Sequence, residues 1–206
     1  MDVRVPRCLR EPKNVAMKRV ITFVDASLKV YGAVVFFQCE YDDATVSSRM
    51  ITLKNKVAPL KPRTVPRLEL IGAILVLRLT QNLIRILEIP MKMVTFFSES
   101  TDVLWWIRGH GRDFRPFVAN RVGEIQMSTE PSQWQHVPTD QNPADLCTRG
   151  ATPSELSECS LWWNEPKWVL EDKSKYPKMQ VGSRPNKSSE VKTTNKRMMD
   201  KEMQRY

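Results

Sequence analysis

The chain has 206 residues, 41% of them hydrophobic, which suffices for one domain of ordinary size with tails. Its net charge is +9, but residues 173–206 hold ten Lys and Arg against three Asp and Glu, so only +2 remains for the rest. The charge therefore gives no argument for nucleic-acid binding by the folded part. Four widely spaced cysteines without a CxxC pair, and only two histidines, exclude a structural zinc site and favour free thiols.

The first 17 residues are polar and interrupted by proline, which is not the pattern of a secretory signal. No apolar run reaches the roughly 18 residues that span a bilayer. We therefore expect an intracellular, cytoplasmic protein that has no membrane partner.

Three β-branched and aromatic runs follow, at residues 18–25, 31–38 and 45–53, and turn-length gaps between them predict an antiparallel meander. A proline-rich loop leads to Thr64, which we expect to cap a helix entered through Pro66. Residues 68–87 are apolar on nearly every side, which predicts a helix buried in the middle of the domain. Glu69 is the exception, because an acid in the first turn of such a helix needs a partner such as a metal ion.

The later elements alternate between strand and helix. We predict a strand at residues 93–97, a helix from Thr101, a helix at 117–126, a strand at 133–137 and a helix opening at 142–146. This order is typical of an α/β domain with a mixed sheet. Residues 151–172 carry Trp162, Trp163 and Trp168, which we expect to pack back on the domain, and residues 173–206 are predicted to be a disordered basic tail.

Acidic residues fall at comparable places in these elements: Asp25 and Glu99 end strands, Asp145 begins the last helix, and Glu69 lies in the central helix. Such a set fits a two-metal phosphodiesterase, in which oxygen ligands hold two Mg²⁺ ions about 3.5 to 4 Å apart. Taken singly, Asp25 or Asp145 could equally be a turn or cap residue. The four together are harder to explain in that way.

Longer motifs carry a family resemblance that runs from about Thr22 to Trp168. In order along the chain they are FVDASLKVYGAVVF, VAPLKPRTVPRLEL, FFSESTDVLWWIRG, FVANRVGEIQ, QWQHVPTDQNPADLCTRG and SLWWNEPKW. They resemble the ribonuclease H region of Pao/Bel-type retrotransposon polyproteins. The resemblance implies a ribonuclease H-like mixed five-stranded sheet flanked by helices, spanning residues 18–150 and preceded by a polyprotein remnant at 1–17. It also implies a metal site for two Mg²⁺ ions, or Mn²⁺, at Asp25, Glu69, Glu99 and Asp145.

Glu99 departs from this resemblance, since the family usually has Ser-Asp-Ser where this chain has Ser98, Glu99 and Ser100. The additional methylene moves the carboxylate by more than about 1 Å, and a misplacement of that size can cost a rate factor of about a hundred. Whether the domain is an active enzyme depends on this residue. Asp102 could be considered as a substitute, but we expect its side chain to point along its helix and away from the metals.

Two basic runs are candidates for contacts with nucleic-acid phosphates. The first leads to Glu69, the second follows a Trp pair, and either could equally be an ordinary solvated surface; their members are Lys54, Lys56, Lys61, Arg63 and Arg67, and Arg108, Arg112, Arg115 and Arg121. His136 is a candidate helper in proton transfer or product release, although a histidine on a strand is more often structural.

Three functions are therefore open. The first is an endonuclease that cuts the RNA strand of RNA/DNA hybrids beside the reverse transcriptase of the parent polyprotein. The second is a degenerate remnant that keeps the fold and binds nucleic acid. The third, an aspartic peptidase of the Pao type, is disfavoured because Asp25-Ala26-Ser27 lacks the Asp-Ser/Thr-Gly turn.

Overall fold

The computed structural model describes residues 8–171, 176–177 and 190–192. Its five strands are β1 (Val15–Ala26), β2 (Val30–Tyr41), β3 (Val46–Val57), β4 (Val94–Ser98) and β5 (Trp134–His136). They form one sheet in the order β3-β2-β1-β4-β5. The first three pair antiparallel, whereas β4 runs parallel to β1 and β5 parallel to β4. The predicted meander and the mixed five-stranded sheet are confirmed.

In the described part of the chain, six α-helices accompany this sheet. They are α1 (Val65–Leu87), α2 (Thr101–Arg108), α3 (Pro116–Ser128), α4 (Asp145–Arg149), α5 (Pro153–Glu158) and α6 (Ser160–Asn164). The first three share one hydrophobic core with one face of the sheet, and α4 and α6 lie against the other face. The order of elements is the predicted one, but the last predicted helix begins at Asp145 instead of at 142.

The long helix α1 lies across β1 and β2. Pro66 is in its first turn and Thr64 is its N-cap residue, as predicted, but within the described chain the Thr64 hydroxyl makes no capping hydrogen bond. Leu70 and Leu77 are fully buried against the sheet. By length and composition alone α1 could also cross a membrane, contrary to the expectation that no apolar run is long enough; the buried core helix of a domain has the same composition.

The opposite face of the sheet is covered by the end of the chain. Phe23 and Phe97 stack there with ring centroids 5.1 Å apart, and Trp162 is buried beside them. The Trp168 ring meets Phe97 edge-on at 5.1 Å. The three tryptophans of the extension therefore pack back on the domain, as predicted.

Five residues of the predicted basic tail are described, and three of them are buried: Tyr176, Glu190 and Val191. At these places the chain departs from the predicted disorder, because an apolar or paired side chain contacts the domain. Residues 173–175, 178–189 and 193–206, like residues 1–7, lie outside the described part, and the prediction of disorder there stays a prediction.

Candidate functional site

Four acidic side chains lie at one edge of the sheet. Asp25 is at the end of β1, and Glu99 directly follows β4. These strands are parallel neighbours paired in register up to the residue before each acid, so the two carboxyls emerge side by side. Glu69 comes from α1, where it is the fifth residue and so lies beyond the predicted first turn, and Asp145 is the first residue of α4.

The four acids form one electrostatic cluster around Asp25. Burial is the main cause that raises the pKa of Glu69 to about 7, and the charges of Asp102 and Asp25 add to it. Burial also raises the pKa of Glu99, which is hydrogen-bonded to Asp25 and repelled by Asp25 and Asp145. The pKa of Asp145 is raised by burial and by Asp25, against the opposing charge of Arg149. Like charges held this close favour protonation, or a bound cation in place of the protons.

Three of these carboxyls have a close partner. The Thr148 hydroxyl donates to Oδ2 of Asp25, and the Ser100 hydroxyl donates to Oε2 of Glu69. Asp145 is paired with Arg149 one turn along α4, with Nε and Oδ1 2.7 Å apart. Each of these three carboxyls is therefore held by a different neighbouring side chain.

Glu99 differs from the other three because its Oε2 atom is buried and has no hydrogen-bond partner among the described residues. A buried carboxylate oxygen without a partner is costly, and a cation would satisfy it. The donor set consists of oxygen atoms only, which is what Mg²⁺ takes. Within the described residues, however, no three acidic, His or Cys side chains already form a group that could hold a metal ion. The chemistry of the donors fits Mg²⁺, and the contacts with Thr148, Ser100 and Arg149 each use only one of the two oxygens of their carboxylate.

Arginines from both basic runs meet around one aromatic ring, that of Phe117 on α3. The guanidinium carbons of Arg63, Arg67 and Arg121 lie 5.1, 4.8 and 3.8 Å from the centroid of the Phe117 ring. We call these three residues the arginine cluster. Arg67 is two residues before Glu69 on α1, and side chains at that spacing face different sides of a helix, so the cluster lies near the same end of α1 as Glu69 but on another side of it. The sequence placed these arginines in two separate runs, and the fold brings them together.

The other basic residues are more dispersed. Lys54 and Lys56 line a groove between β3 and α1, and Lys61 is exposed in the loop before α1. Arg112 and Arg115 are exposed around the start of α3. Arg108 donates to the carbonyl oxygens of Leu104 and Trp134, at 3.3 and 3.1 Å, so part of its guanidinium serves the fold.

The family comparison agrees with this geometry. Residues 1–100 match the family described as "Pao retrotransposon-like RNaseH-like domain". The resemblance to the Pao family is confirmed. The match begins at residue 1, earlier than the expected Thr22, and covers the first two motifs and the first five residues of the third, whereas the last three motifs lie beyond it.

Solved structures that are similar to this chain are RNase H domains. The N-terminal RNase H domain of Rv2228c from Mycobacterium tuberculosis, solved as a fusion with maltose-binding protein, is 16% identical, with a TM-score of 0.45, over 67% of this chain and 96% of that one. RNase H1 from the archaeon Halobacterium salinarum is 12% identical, with a TM-score of 0.37, over 62% and 89%. LC11-RNase H1 in complex with an RNA/DNA hybrid is 14% identical, with a TM-score of 0.40, over 68% and 99%. No curated protein matches the chain.

Glu99, the residue that departs from the expected Ser-Asp-Ser, lies within the acidic cluster. Glu99 is half-buried, and one of its oxygens reaches Asp25 while the Thr139 hydroxyl also contacts it. The longer side chain therefore changes where the carboxylate lies within the site but keeps it there. Whether that position serves catalysis stays a prediction.

His136 and Asp102 take different places relative to this cluster. His136 is half-buried on β5, where burial lowers its pKa and its ring is hydrogen-bonded to the backbone of Glu99. It thus supports the loop that carries Glu99. Asp102 lies close enough to raise the pKa of Glu69, so it is nearer to the acids than its expected direction along α2 suggested.

The residues that sequence reasoning missed are the partners of the acids. Thr148 and Arg149 lie three and four positions after Asp145, a spacing that places side chains on one face of a helix and could have indicated them. Ser100 is the N-cap residue of α2, which its position before Thr101 could also have indicated. Nothing in the local sequence pointed to Phe117 as the centre of the arginine cluster.

Proposed function

We propose that this domain is a ribonuclease H-type endonuclease that hydrolyses the RNA strand of RNA/DNA hybrids. The observation that supports it is the convergence of Asp25, Glu69, Glu99 and Asp145, from four separate segments, on one edge of the sheet. A fold does not concentrate four acids in a half-buried place for stability, because their repulsion opposes folding. Cations bound between the carboxylates would offset this repulsion.

In this proposal the four carboxylates hold two Mg²⁺ ions, or Mn²⁺. When bound, the ions would supply an activated water and stabilisation of the leaving oxygen. The chain itself brings the oxygens together: β1 and β4 hold Asp25 and Glu99 side by side, and α1 and α4 add the other two. Glu69 and Glu99, whose pKa values are raised, would have to lose their protons to hold the cations. His136 keeps the Glu99 loop in position.

The substrate side of the proposal rests on charge. The arginine cluster would hold backbone phosphates of the hybrid, and Lys54 and Lys56 in the groove between β3 and α1, with Lys61 in the loop before α1, are further candidates for phosphate contacts. The RNA strand would be distinguished by its 2′-hydroxyl groups. We propose the reverse transcriptase of a parent polyprotein as the partner that makes the hybrid. We also propose an intracellular, cytoplasmic location, which the four free cysteines favour.

A second function, a degenerate domain that binds nucleic acid without cutting it, is favoured by two observations. Asp145 is held by Arg149, and Glu99 stands where the family has aspartate. If the carboxylates cannot leave their present partners, the cluster remains protonated or paired and binds no metal.

A cleavage assay of the full chain on a labelled RNA/DNA hybrid with Mg²⁺ or Mn²⁺ separates the two functions. We expect cutting by the parent chain and loss of at least about a hundredfold in rate for Asp25→Asn, because that change removes a shared metal ligand. Glu99→Asp should cut at least as fast as the parent. A parent that is inert while Glu99→Asp cuts would establish the degenerate function, and cutting that survives Asp25→Asn would refute the assignment of the metal site.

A further inference from the structure

The arginine cluster is crowded with positive charge. Arg63, Arg67 and Arg121 lie over the ring of Phe117, and burial together with the charge of Arg63 lowers the pKa of Arg121, while the charge of Glu124 opposes this. The Nε atom of Arg63 is buried and has no hydrogen-bond partner among the described residues. Such a cluster favours a bound anion, because partly buried like charges repel one another unless counter-charges compensate them.

A residue of the C-terminal tail supplies that anion. Oε1 of Glu190 lies 2.7 Å from Nε of Arg67, and the Glu190 side chain is 7% exposed. This contact raises the pKa of Arg67. The second carboxylate oxygen, Oε2, is also buried and has no hydrogen-bond partner in the described part of the chain. The pair therefore joins two segments that are 123 positions apart.

Backbone contacts anchor this piece of tail beside the cluster. The Arg115 amide donates to the Glu190 carbonyl at 2.7 Å, and the Lys192 amide donates to the Asp113 carbonyl at 2.9 Å. Between them Val191, 5% exposed, forms an antiparallel bridge with Phe114. We call residues 190–192 the strap. The strap is therefore held by backbone pairing as well as by the Glu190 side chain.

We propose that the strap is an autoinhibitory element, in which Glu190 occupies the place of a nucleic-acid phosphate on the arginine cluster. A carboxylate and a phosphate compete for the same guanidinium donors, so Glu190 at Nε of Arg67 excludes a phosphate from that position. A hybrid whose phosphate is to be held there must first displace the strap. The inference goes beyond the proposed function and rests on it only in taking the RNA/DNA hybrid as the competing ligand.

Removal of the Glu190 charge should release the strap from the arginine cluster. Glu190→Gln keeps the size of the side chain but loses its charge-assisted bond to Arg67. If the strap is closed in most molecules, the apparent affinity for the hybrid is reduced by the fraction that is open. We expect Glu190→Gln to bind the hybrid about three- to tenfold more tightly than the parent chain.

The test is fluorescence anisotropy of a labelled RNA/DNA hybrid with the full chain, in EDTA so that cleavage cannot contribute. The matched control is Glu158→Gln, which removes the same charge at an exposed position on α5. Arg67→Gln and the double variant Arg67→Gln/Glu190→Gln complete a cycle. We expect Glu190→Gln to tighten binding relative to Glu158→Gln, and this gain to vanish when Arg67 is absent.

Equal affinities of Glu190→Gln and Glu158→Gln for the hybrid would refute the autoinhibitory role of the strap. An increase in affinity that persists when Arg67 is replaced would refute it as well. Hydrogen exchange at the Arg115 amide gives a second measurement, and it should become faster in Glu190→Gln because this amide is bonded to the strap. Tighter binding by Glu190→Gln in a chain that never cuts would support the strap while refuting the nuclease. Absence of hybrid binding in every variant would overturn the strap as an inhibitor of hybrid binding and would count against both proposed functions.

Discussion

The carboxyl group of Glu69 is held by the fold in surroundings that disfavour its charged form. It lies in the second turn of an apolar helix, where burial, Asp102 and Asp25 raise its pKa to about 7 and the Ser100 hydroxyl opposes them. Its ordinary value is 4.5, so the folded protein favours the protonated form. The contribution of Glu69 to stability is present in full below about pH 4.5 and is lost as the pH rises through about 7.

A glutamine at this position should therefore stabilise the fold at high pH. We expect Glu69→Gln, in a buffer without divalent metal, to raise the free energy of unfolding by about 3 kcal/mol at pH 8 and to leave it nearly unchanged at pH 4, since a pKa unit corresponds to about 1.4 kcal/mol. Urea unfolding at the two pH values measures this difference. Glu158→Gln, at an exposed position, is the control. A gain of the same size at both pH values would contradict the assigned burial of the carboxyl.

At the scale of elements, the approach of α1 to β1 positions two of the acids. Gly72 is where the helix comes nearest, because a Cβ atom there would lie 2.9 Å from Cγ2 of Val24 and 3.6 Å from the carbonyl oxygen of Asp25. A valine methyl group on a buried strand has little room to move. The absence of a side chain at Gly72 therefore lets Glu69 and Asp25 lie in one site.

The glycines of α1 and α3 should respond to alanine in opposite directions. Gly72→Ala should destabilise the domain by about 1 to 3 kcal/mol through overpacking against Val24. Gly123→Ala in α3 should stabilise it by about 0.5 to 1 kcal/mol, because a Cβ atom there meets nothing within 4 Å and alanine favours the helix. Thermal or urea unfolding of both variants tests this, and stabilisation by Gly72→Ala would show that the helix can move away from β1 without cost.

At the scale of the whole molecule, the sheet is covered on both faces, and the second cover comes from the end of the chain. Trp162 and Val169 belong to the same buried cluster as Phe23 and Phe97. The boundary predicted after residue 150 thus separates two segments that share one hydrophobic core. Burial of large apolar side chains is the main favourable contribution to folding, so the extension stabilises the sheet that carries the site.

Loss of this cover should be costly. Trp162→Ala should lower the free energy of unfolding by about 3 to 5 kcal/mol, because it leaves a cavity beneath the sheet. Trp163→Ala, the neighbouring position, is the matched control, and its effect should be smaller because that ring is only half-buried. Equal losses in urea unfolding would show that the two rings contribute alike and that burial beneath the sheet is not what matters.

Much of this architecture could be predicted because the relevant signals are local. The apolar run of α1, the turn-length gaps between β1, β2 and β3, and the acids at the ends of strands are each visible within a few residues. The parallel pairing of β1 with β4 then brings Asp25 beside Glu99, as two-metal chemistry requires. The local signals were weakest at short elements such as β5, which has only three residues.

The sequence by itself determined the order of the elements, the family resemblance and the identity of the four acids, because turn residues, periodicity and motifs are read along the chain. Only the tertiary structure decided which groups those acids contact and which arginines share Phe117. Thr148 meets Asp25 across 123 positions, and Glu190 meets Arg67 across the same separation. Contacts of this kind depend on how helices and strands pack in space, and no local pattern encodes that packing.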